Sequence, residues 1–256
     1  MLLVVITHIG TRGLLMIRND EFSHWGLVVK NMVIFDKFGD VNGSTTMFPS
    51  YPPGLSILQY FFIRIRTGFH ESSMYMALDA LAISTFMPIF HFISRKKFYV
   101  YALITLIIFS SPMVFYPDFY HLLYVDATLG VIFAYLLFSY FSKETLSIFN
   151  IINISLASAV IILIKDSGII FALIVNLIIY IDFLFIQKRF QQNRSQLKII
   201  FSCAIITTIS IVFTKLSWNI FLRLTDTPHD WNFLAINFSE IIGLITSKTN
   251  DSQKAA

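Results

Sequence analysis

Long apolar runs are the feature that most constrains this chain. A helix needs about 20 consecutive apolar residues to cross the hydrocarbon core of a bilayer, which is about 30 Å thick. Seven runs reach or approach that length: 1–17, 73–93, 98–115, 122–141, 146–164, 168–186 and 199–220. Because no water is available in the hydrocarbon core, each backbone must satisfy its own hydrogen bonds, as a helix does. The sequence therefore predicts an all-α, polytopic transmembrane bundle of about seven spans.

The composition excludes several other classes of protein. Charged residues make up 13% of the 256 residues and hydrophobic residues 56%, whereas a soluble globular protein has about 25% charged residues. A disordered chain needs low hydrophobicity, and a disulfide scaffold needs more than the single cysteine, Cys203. The net charge of +4 does not indicate nucleic-acid binding, because the basic residues lie between the apolar runs.

Loop charge predicts the orientation of the bundle. Lys and Arg are concentrated in the loops 94–97, 142–145 and 187–198. Alternating spans place these loops on one side, which the positive-inside rule assigns to the cytoplasm. The long first loop, 18–72, then faces outward. We expect one multi-pass domain of the cell membrane over 1–245 and a polar tail, 246–256, that is disordered or truncated.

The start of the first loop holds a cluster of titratable residues. Apolar residues recur at spacings of 3, 4 and 3 from Phe22 to Met32, which predicts an amphipathic helix at the membrane surface. His24 follows Asp20 by four residues and Glu21 by three, so these side chains are neighbours on that helix. The two acids are either site residues or the solvated start of a helix.

The end of the first loop predicts a second interfacial helix. Two prolines follow Tyr51 and fix an extended, rigid turn. Apolar residues then form one face over 55–65, with Arg64 and Arg66 at the end of the helix. The long first extracytoplasmic loop is thus expected to contain two interfacial helices.

The order of these features resembles the start of a membrane glycosyltransferase of the GT-C superfamily. It is similar to the GT39-like branch, which includes the aminoarabinose and protein-mannosyl transferases. In that branch a first span is followed by an acidic pair, an aromatic helix and a Pro-Pro turn, matched here by Asp20-Glu21 and the turn after Tyr51. Further along, Asp126 resembles the acid at the outer end of a later span. Lys165 lies in a segment that resembles the family's turn between two membrane segments.

The resemblance covers about residues 1–190 and implies a helical membrane bundle with its site at the outer face. The donor would be a polyprenyl-phosphate sugar, and the acceptor an envelope glycan, lipid or protein. Asp20 matches the residue taken as catalytic in the family, and Glu21 matches the neighbouring acid. Family members are usually longer, so this chain is expected to correspond to their N-terminal part.

Sugar transfer from a lipid phosphate needs a base for the acceptor hydroxyl and cations for the departing phosphate. Asp20 or Glu21 is the candidate base, with His24 as its orienting partner or as the alternative base. Fixed positive charge is the usual means of stabilising developing negative charge. The remaining candidates are the cations Lys30, Arg64, Arg66 and Lys165, together with Tyr51 and Asp126 as further substrate-binding residues. A divalent cation held by Asp20, Asp118 and Asp126 is left open, and no other cofactor is expected.

Two other functions compete with the transferase. A transporter of a lipid-linked sugar would use the same charges for binding alone, but transporters often contain internal repeats, and none is visible here. A non-catalytic fragment or accessory subunit of an envelope-polymer system is the other alternative. Lys165 and the adjacent Asp166 are either site residues or a simple loop pair that ends two helices. Asp126 is either a site acid or a helix-start acid.

Overall fold

The computed structural model describes residues 2–38, 46–65, 68–92, 98–143, 145–185 and 194–227. These residues form helices and connecting turns, without a strand. The α-helices in chain order are α1 (Leu2–Thr11), α2 (Gly26–Phe35), α3 (Gly54–Ile65), α4 (Glu71–Phe86), α5 (Phe98–Phe115), α6 (Val125–Phe141), α7 (Ile148–Ile164), α8 (Gly168–Phe185) and α9 (Arg194–Leu224). A π-helical turn, Glu21–Trp25, precedes α2, and 3₁₀ turns occur at Met87–Phe92 and Phe119–His121.

Among the described residues, four helical segments are long and apolar enough to cross a membrane, and they indicate a membrane protein. They are Glu71–Phe90, Phe98–Phe115, Gly168–Phe185 and Leu197–Leu224. Helices α3, α6 and α7 are also apolar but have 12, 17 and 17 residues. The expected all-α architecture is therefore confirmed, and seven spans remain a prediction. The polar tail and most of the basic loop residues lie outside the described residues.

The first apolar run contains a shorter helix than its 17 residues predicted. Helix α1 has ten residues and ends at Thr11, whose hydroxyl donates to the carbonyl of Thr7 at 2.8 Å. Gly13 follows with φ of +79°, a left-handed conformation that glycine adopts without a steric penalty. The chain then runs in irregular conformation to the π-helical turn.

Helices α6 to α9 form the centre of the bundle, and polar side chains link them. Asn176 of α8 donates to Thr208 of α9 at 2.8 Å. Ser155 and Thr207 join α7 to α9 at 3.3 Å. Between apolar helices, such hydrogen bonds and small interfacial residues hold helices together where burial of apolar surface gives little advantage over lipid.

Close backbone packing positions the turn between α7 and α8. A Cβ on Gly168 would lie 1.9 Å from the carbonyl oxygen of Ile161, so only glycine fits there. A Cβ on Gly54, at the start of α3, would lie 2.5 Å from the carbonyl oxygen of Leu163. Two glycines thus bring the end of α7, the start of α8 and the start of α3 together.

Helix α5 lies at the periphery of the described bundle. It has 18 residues, none of them buried, and it contains Pro112 in its last turns. Several of its large apolar side chains are mostly exposed, including Phe98, Val114 and Phe115. A helix with this composition and so little protein contact is suited to a lipid environment.

Candidate functional site

The predicted acidic pair lies where the irregular segment after α1 enters the π-helical turn. Asp20 is the N-cap residue of that turn and is exposed, without a side-chain capping bond. Glu21, the next residue, has 0% exposure. The π-helical turn closes with a bond from the N–H of Gly26 to the carbonyl of Glu21, and such single turns are frequent at functional sites. Two adjacent acids therefore occupy opposite environments.

Four donors surround the buried carboxylate of Glu21. Its Oε2 accepts from the backbone N–H groups of Ile17 and Arg18 at 3.0 and 3.1 Å. Its Oε1 accepts from the N–H of Leu123 at 3.0 Å and from the hydroxyl of Tyr75 at 3.2 Å. A buried carboxylate needs such hydrogen bonds to offset its desolvation. Glu21 thus connects the segment after α1 to α4 and to the residues that precede α6.

Helix α4 holds the segment before Asp20 at two further points. The hydroxyl of Tyr75 lies 3.2 Å from the carbonyl oxygen of Leu15, as well as contacting Glu21. One turn earlier, Oε2 of Glu71 accepts from the N–H of Met16 at 2.6 Å. These contacts fix residues 15–18 against the bundle, and with them the position of Asp20.

Asp20 shares its surroundings with Tyr124, which directly precedes α6. Burial raises the pKa of Tyr124, and the negative charges of Asp20 and Glu21 raise it further. The nearby cation Arg18 forms an ion pair with Asp118. Among the described residues, no side chain forms an ion pair or hydrogen bond with the Asp20 carboxylate, which leaves Asp20 accessible to a ligand.

His24 lies one turn after Asp20, in a pocket of aromatic rings. Its imidazole is 3% exposed and makes edge contacts with Trp25, Phe48 and Tyr51 at centroid distances of 4.5, 5.4 and 5.4 Å. Burial, with a smaller contribution from the positive charge of Lys165, lowers the pKa of His24 to about 4. Its Nδ1 is buried and has no hydrogen-bond partner among the described residues. His24 is therefore neutral near pH 7.

The adjacent residues Lys165 and Asp166 pair with two different helices rather than with each other. Lys165 Nζ lies 2.7 Å from Asp126 Oδ1, with 23% and 62% of these side chains exposed. Lys215 Nζ of α9 lies 2.6 Å from Asp166 Oδ1, and both side chains are largely buried. The ammonium of Lys165 also lies 6.0 Å from the ring centroid of Tyr51, at the limit of a cation–π contact. The turn after α7 is thus anchored to α6 and α9, and it brings Lys165 beside His24.

An apolar groove ends at this charged cluster. Its volume is about 540 Å³, and it runs between α4, α5 and α6. Small residues on one face of α6 form its floor, namely Ala127, Gly130 and Ala134. Its lining also includes Tyr116 and Asp126, which mark the polar end. The groove therefore opens beside the exposed helix α5 and reaches Asp126, the ion-pair partner of Lys165.

Two of the predicted cations do not join this cluster. Lys30 is exposed on α2. Arg64 lies 2.7 Å from Asp36, and its Nε is 2.9 Å from the hydroxyl of Tyr60. The hydrogen bonds from Tyr60 and Arg64 lower the pKa of Asp36. Arg64 thus links α3 to the end of α2. Arg66 lies outside the described residues.

Sequence reasoning missed several residues that build this region. Tyr75 and Glu71 lie on α4, and no recognisable sequence motif includes them. Lys215 had a usable signal, since a cation within a long apolar run is expected to face protein and have an acidic partner. Trp218 donates to the carbonyl of Ser50 at 3.0 Å, which ties α9 to the turn of Tyr51.

Comparison with known proteins gives no function for this chain, so the functional argument rests on the chemistry of the site. No protein-family model, curated protein or solved structure matches this chain. Within the described ranges, no three His, Cys, Asp or Glu side chains are close enough together to hold a metal ion. The arrangement does offer an accessible carboxylate, a partly exposed ammonium and an apolar groove at one end of the bundle.

Proposed function

We propose that this chain is a multi-pass membrane glycosyltransferase that moves a sugar from a polyprenyl-phosphate donor to an envelope glycan, lipid or protein. The observation that carries the proposal is the apolar groove that ends at the pair Lys165–Asp126. The reacting face is the extracytoplasmic one, in keeping with the positive-inside orientation of the loops.

The groove suits the hydrocarbon part of such a donor. Its volume of about 540 Å³ lies within the range of about 300–1,000 Å³ that is usual for ligand pockets. The small side chains of Ala127, Gly130 and Ala134 leave room for an apolar chain beside α6. Because α5 buries no residue, a lipid can enter the groove sideways from the bilayer.

Lys165 is the proposed contact for the donor phosphate at the polar end of the groove. Its present partner, Asp126, is 62% exposed, and such ion pairs contribute only about 0–1 kcal/mol. A phosphate group can therefore replace the Asp126 carboxylate at Lys165. The neutral His24 adds no competing charge at this point, since its pKa is about 4.

Asp20 is the proposed base in the transfer step. Its carboxylate takes the proton from the acceptor hydroxyl as that oxygen forms a bond to the anomeric carbon. The bond from the anomeric carbon to the phosphate oxygen breaks, and its electron pair leaves with the polyprenyl phosphate. Lys165 stabilises the charge that develops on the phosphate. Glu21, which is buried and fully hydrogen-bonded, holds Asp20 in place.

Transfer of label tests this proposal. Cells expressing the wild type, Asp20→Asn or Asp36→Asn receive a panel of labelled polyprenyl-phosphate sugars, and labelled envelope material is measured at equal levels of inserted protein. Asp36 is the matched control, because it is an exposed acid in the same loop whose left-handed conformation asparagine tolerates. We expect wild type and Asp36→Asn to transfer label and Asp20→Asn to lose at least about 100-fold, the lower range for a general base.

Binding measurements separate the transferase from its alternatives. Gly130→Phe, which fills the groove, is expected to abolish retention of polyprenyl phosphate, while Gly130→Ala retains it, because a Cβ at this position meets no atom within 4 Å. Binding without transfer across the donor panel would contradict the enzyme proposal and favour an accessory or transport protein. Absence of both would overturn the assignment of the groove.

A further inference from the structure

A further cavity opens beside the segment that leads to Asp20, on the side of α1 and the start of α4. Its volume is about 680 Å³. Helix α1 contributes His8, the turn after it contributes Arg12, and the start of α4 contributes Glu71 and Ser72. His70, directly before α4, also lines it. In contrast to the apolar groove, most of these lining side chains are polar and can donate hydrogen bonds.

The charges in this cavity leave its cation available. The side chain of Arg12 makes no hydrogen bond or ion pair with the described residues, although Glu71 lines the same cavity. The Glu71 carboxylate instead accepts from the N–H of Met16 at 2.6 Å. An arginine that faces a cavity without a carboxylate partner is suited to a planar, bidentate contact with an anion.

The start of α4 brings both the amino end of a helix and an acidic side chain to the cavity. This helix has 16 residues and begins at the wall of the cavity. The first N–H groups of a helix have no intrahelical acceptor, and the helix dipole places partial positive charge there. The Glu71 carboxylate lies in this first turn and offsets that partial charge, so two kinds of donor remain for an anion: the guanidinium of Arg12 and the imidazoles of His8 and His70.

We propose that this cavity binds a phosphate group, with Arg12 as the main contact. The phosphate belongs either to a lipid headgroup at the membrane surface or to a soluble phosphate compound, and both would make the same contacts. Binding at this site does not depend on the transferase activity, because it needs no turnover.

The cavity lies close along the chain to Asp20, the base in the proposed function. The chain from Leu15, which lines the cavity, to Asp20 covers five residues. It spans at most about 18 Å when fully extended.

Retention of phosphate ligands by the purified full chain tests the site. One arm uses nanodiscs of phosphatidylcholine with or without phosphatidic acid and counts retained lipid by native mass spectrometry. The other arm titrates inorganic phosphate into phosphatidylcholine nanodiscs. Arg12→Gln is expected to weaken binding about tenfold or more, as for the loss of a charged hydrogen-bonded pair. Arg223→Gln is the matched control, because Arg223 is an exposed cation at the end of α9.

The outcomes distinguish the two phosphate sources and can overturn the site. Loss in the lipid arm alone assigns a headgroup, loss in the inorganic arm alone assigns a soluble compound, and loss in both supports the shared phosphate contact. Ser72→Phe, which narrows the cavity from the α4 side, should reproduce the loss and guards against misfolding of the Arg12 variant. Wild-type retention in both arms by Arg12→Gln and Ser72→Phe would overturn the site, whatever the result of the transfer assay.

Discussion

The buried carboxylate of Glu21 gives the sharpest test of how this end of the bundle is held. In Glu21→Gln the amide oxygen can keep the bonds from Ile17 and Arg18. The amide nitrogen then replaces Oε1 and faces the N–H of Leu123, which is 3.0 Å from that oxygen in the wild type. The hydroxyl of Tyr75 can accept from the amide nitrogen and donate its own hydrogen to the carbonyl oxygen of Leu15, which lies 3.2 Å away. One backbone donor is therefore left without a partner.

The free energy of unfolding should fall by about 2–4 kcal/mol in this variant. A buried donor without an acceptor costs about 1–3 kcal/mol. The two bonds from the N–H groups of Ile17 and Arg18 change from a charged to a neutral acceptor, which weakens each of them by about 0.5–1 kcal/mol. The smaller desolvation penalty of a neutral amide offsets part of this sum. Glu71→Gln should lose about 1 kcal/mol or less, since Glu71 accepts one bond from Met16 that an amide oxygen preserves.

Two measurements check this prediction. Unfolding in mixed micelles gives the free-energy differences, and amide hydrogen exchange in nanodiscs gives the protection of the peptide that contains Leu123. We expect faster exchange at Leu123 in Glu21→Gln and unchanged exchange there in Glu71→Gln. If Glu21→Gln unfolds within about 0.5 kcal/mol of the wild type and Leu123 stays protected, Glu21 does not hold these segments together.

Three other predictions follow from single contacts. Folding lowers the pKa of His24 from 6.5 to about 4. The free energy of unfolding should therefore decline by up to about 3 kcal/mol as the pH falls from about 6.5 to 4. Unfolding curves of His24→Phe should lack this decline. Gly168→Ala should lower the free energy of unfolding by more than about 2 kcal/mol, because its Cβ would overlap a backbone carbonyl. Gly130→Ala should be neutral or stabilising by up to about 1 kcal/mol. Equal thermal stability of the two variants would contradict this. Lys215→Met should cost about 3–5 kcal/mol by leaving the Asp166 carboxylate buried and unpaired, and adding Asp166→Asn should restore most of the loss in a double-mutant cycle.

The arrangement at the site separates the roles of residues that are neighbours in the chain. Asp20 is exposed and Glu21 is buried, so a ligand can reach the first carboxylate and not the second. Lys165 pairs with Asp126 at the end of the groove, while Asp166 pairs with Lys215 of α9. Each pair combines one residue available for a ligand with one residue that holds the position of the first.

The sequence alone determined the helical, membrane-suited character of the chain, because that character follows from local properties. Apolar runs such as 98–115 and 168–185 become helices wherever they are buried in lipid or protein, since the backbone can satisfy its hydrogen bonds within the segment. The acidic pair and the lysine turn were also visible as polar interruptions of an apolar chain. Their chemistry could be named from residue type and order.

Only the tertiary structure decided what each of these polar residues does. Glu21 is buried because Tyr75 and Leu123, which lie 54 and 102 residues away, approach it. Lys165 pairs with Asp126 rather than with its neighbour because the turn after α7 lies between α6 and α9. Burial and pairing depend on which distant groups come within a few ångströms, and the packing of separate helices sets those distances.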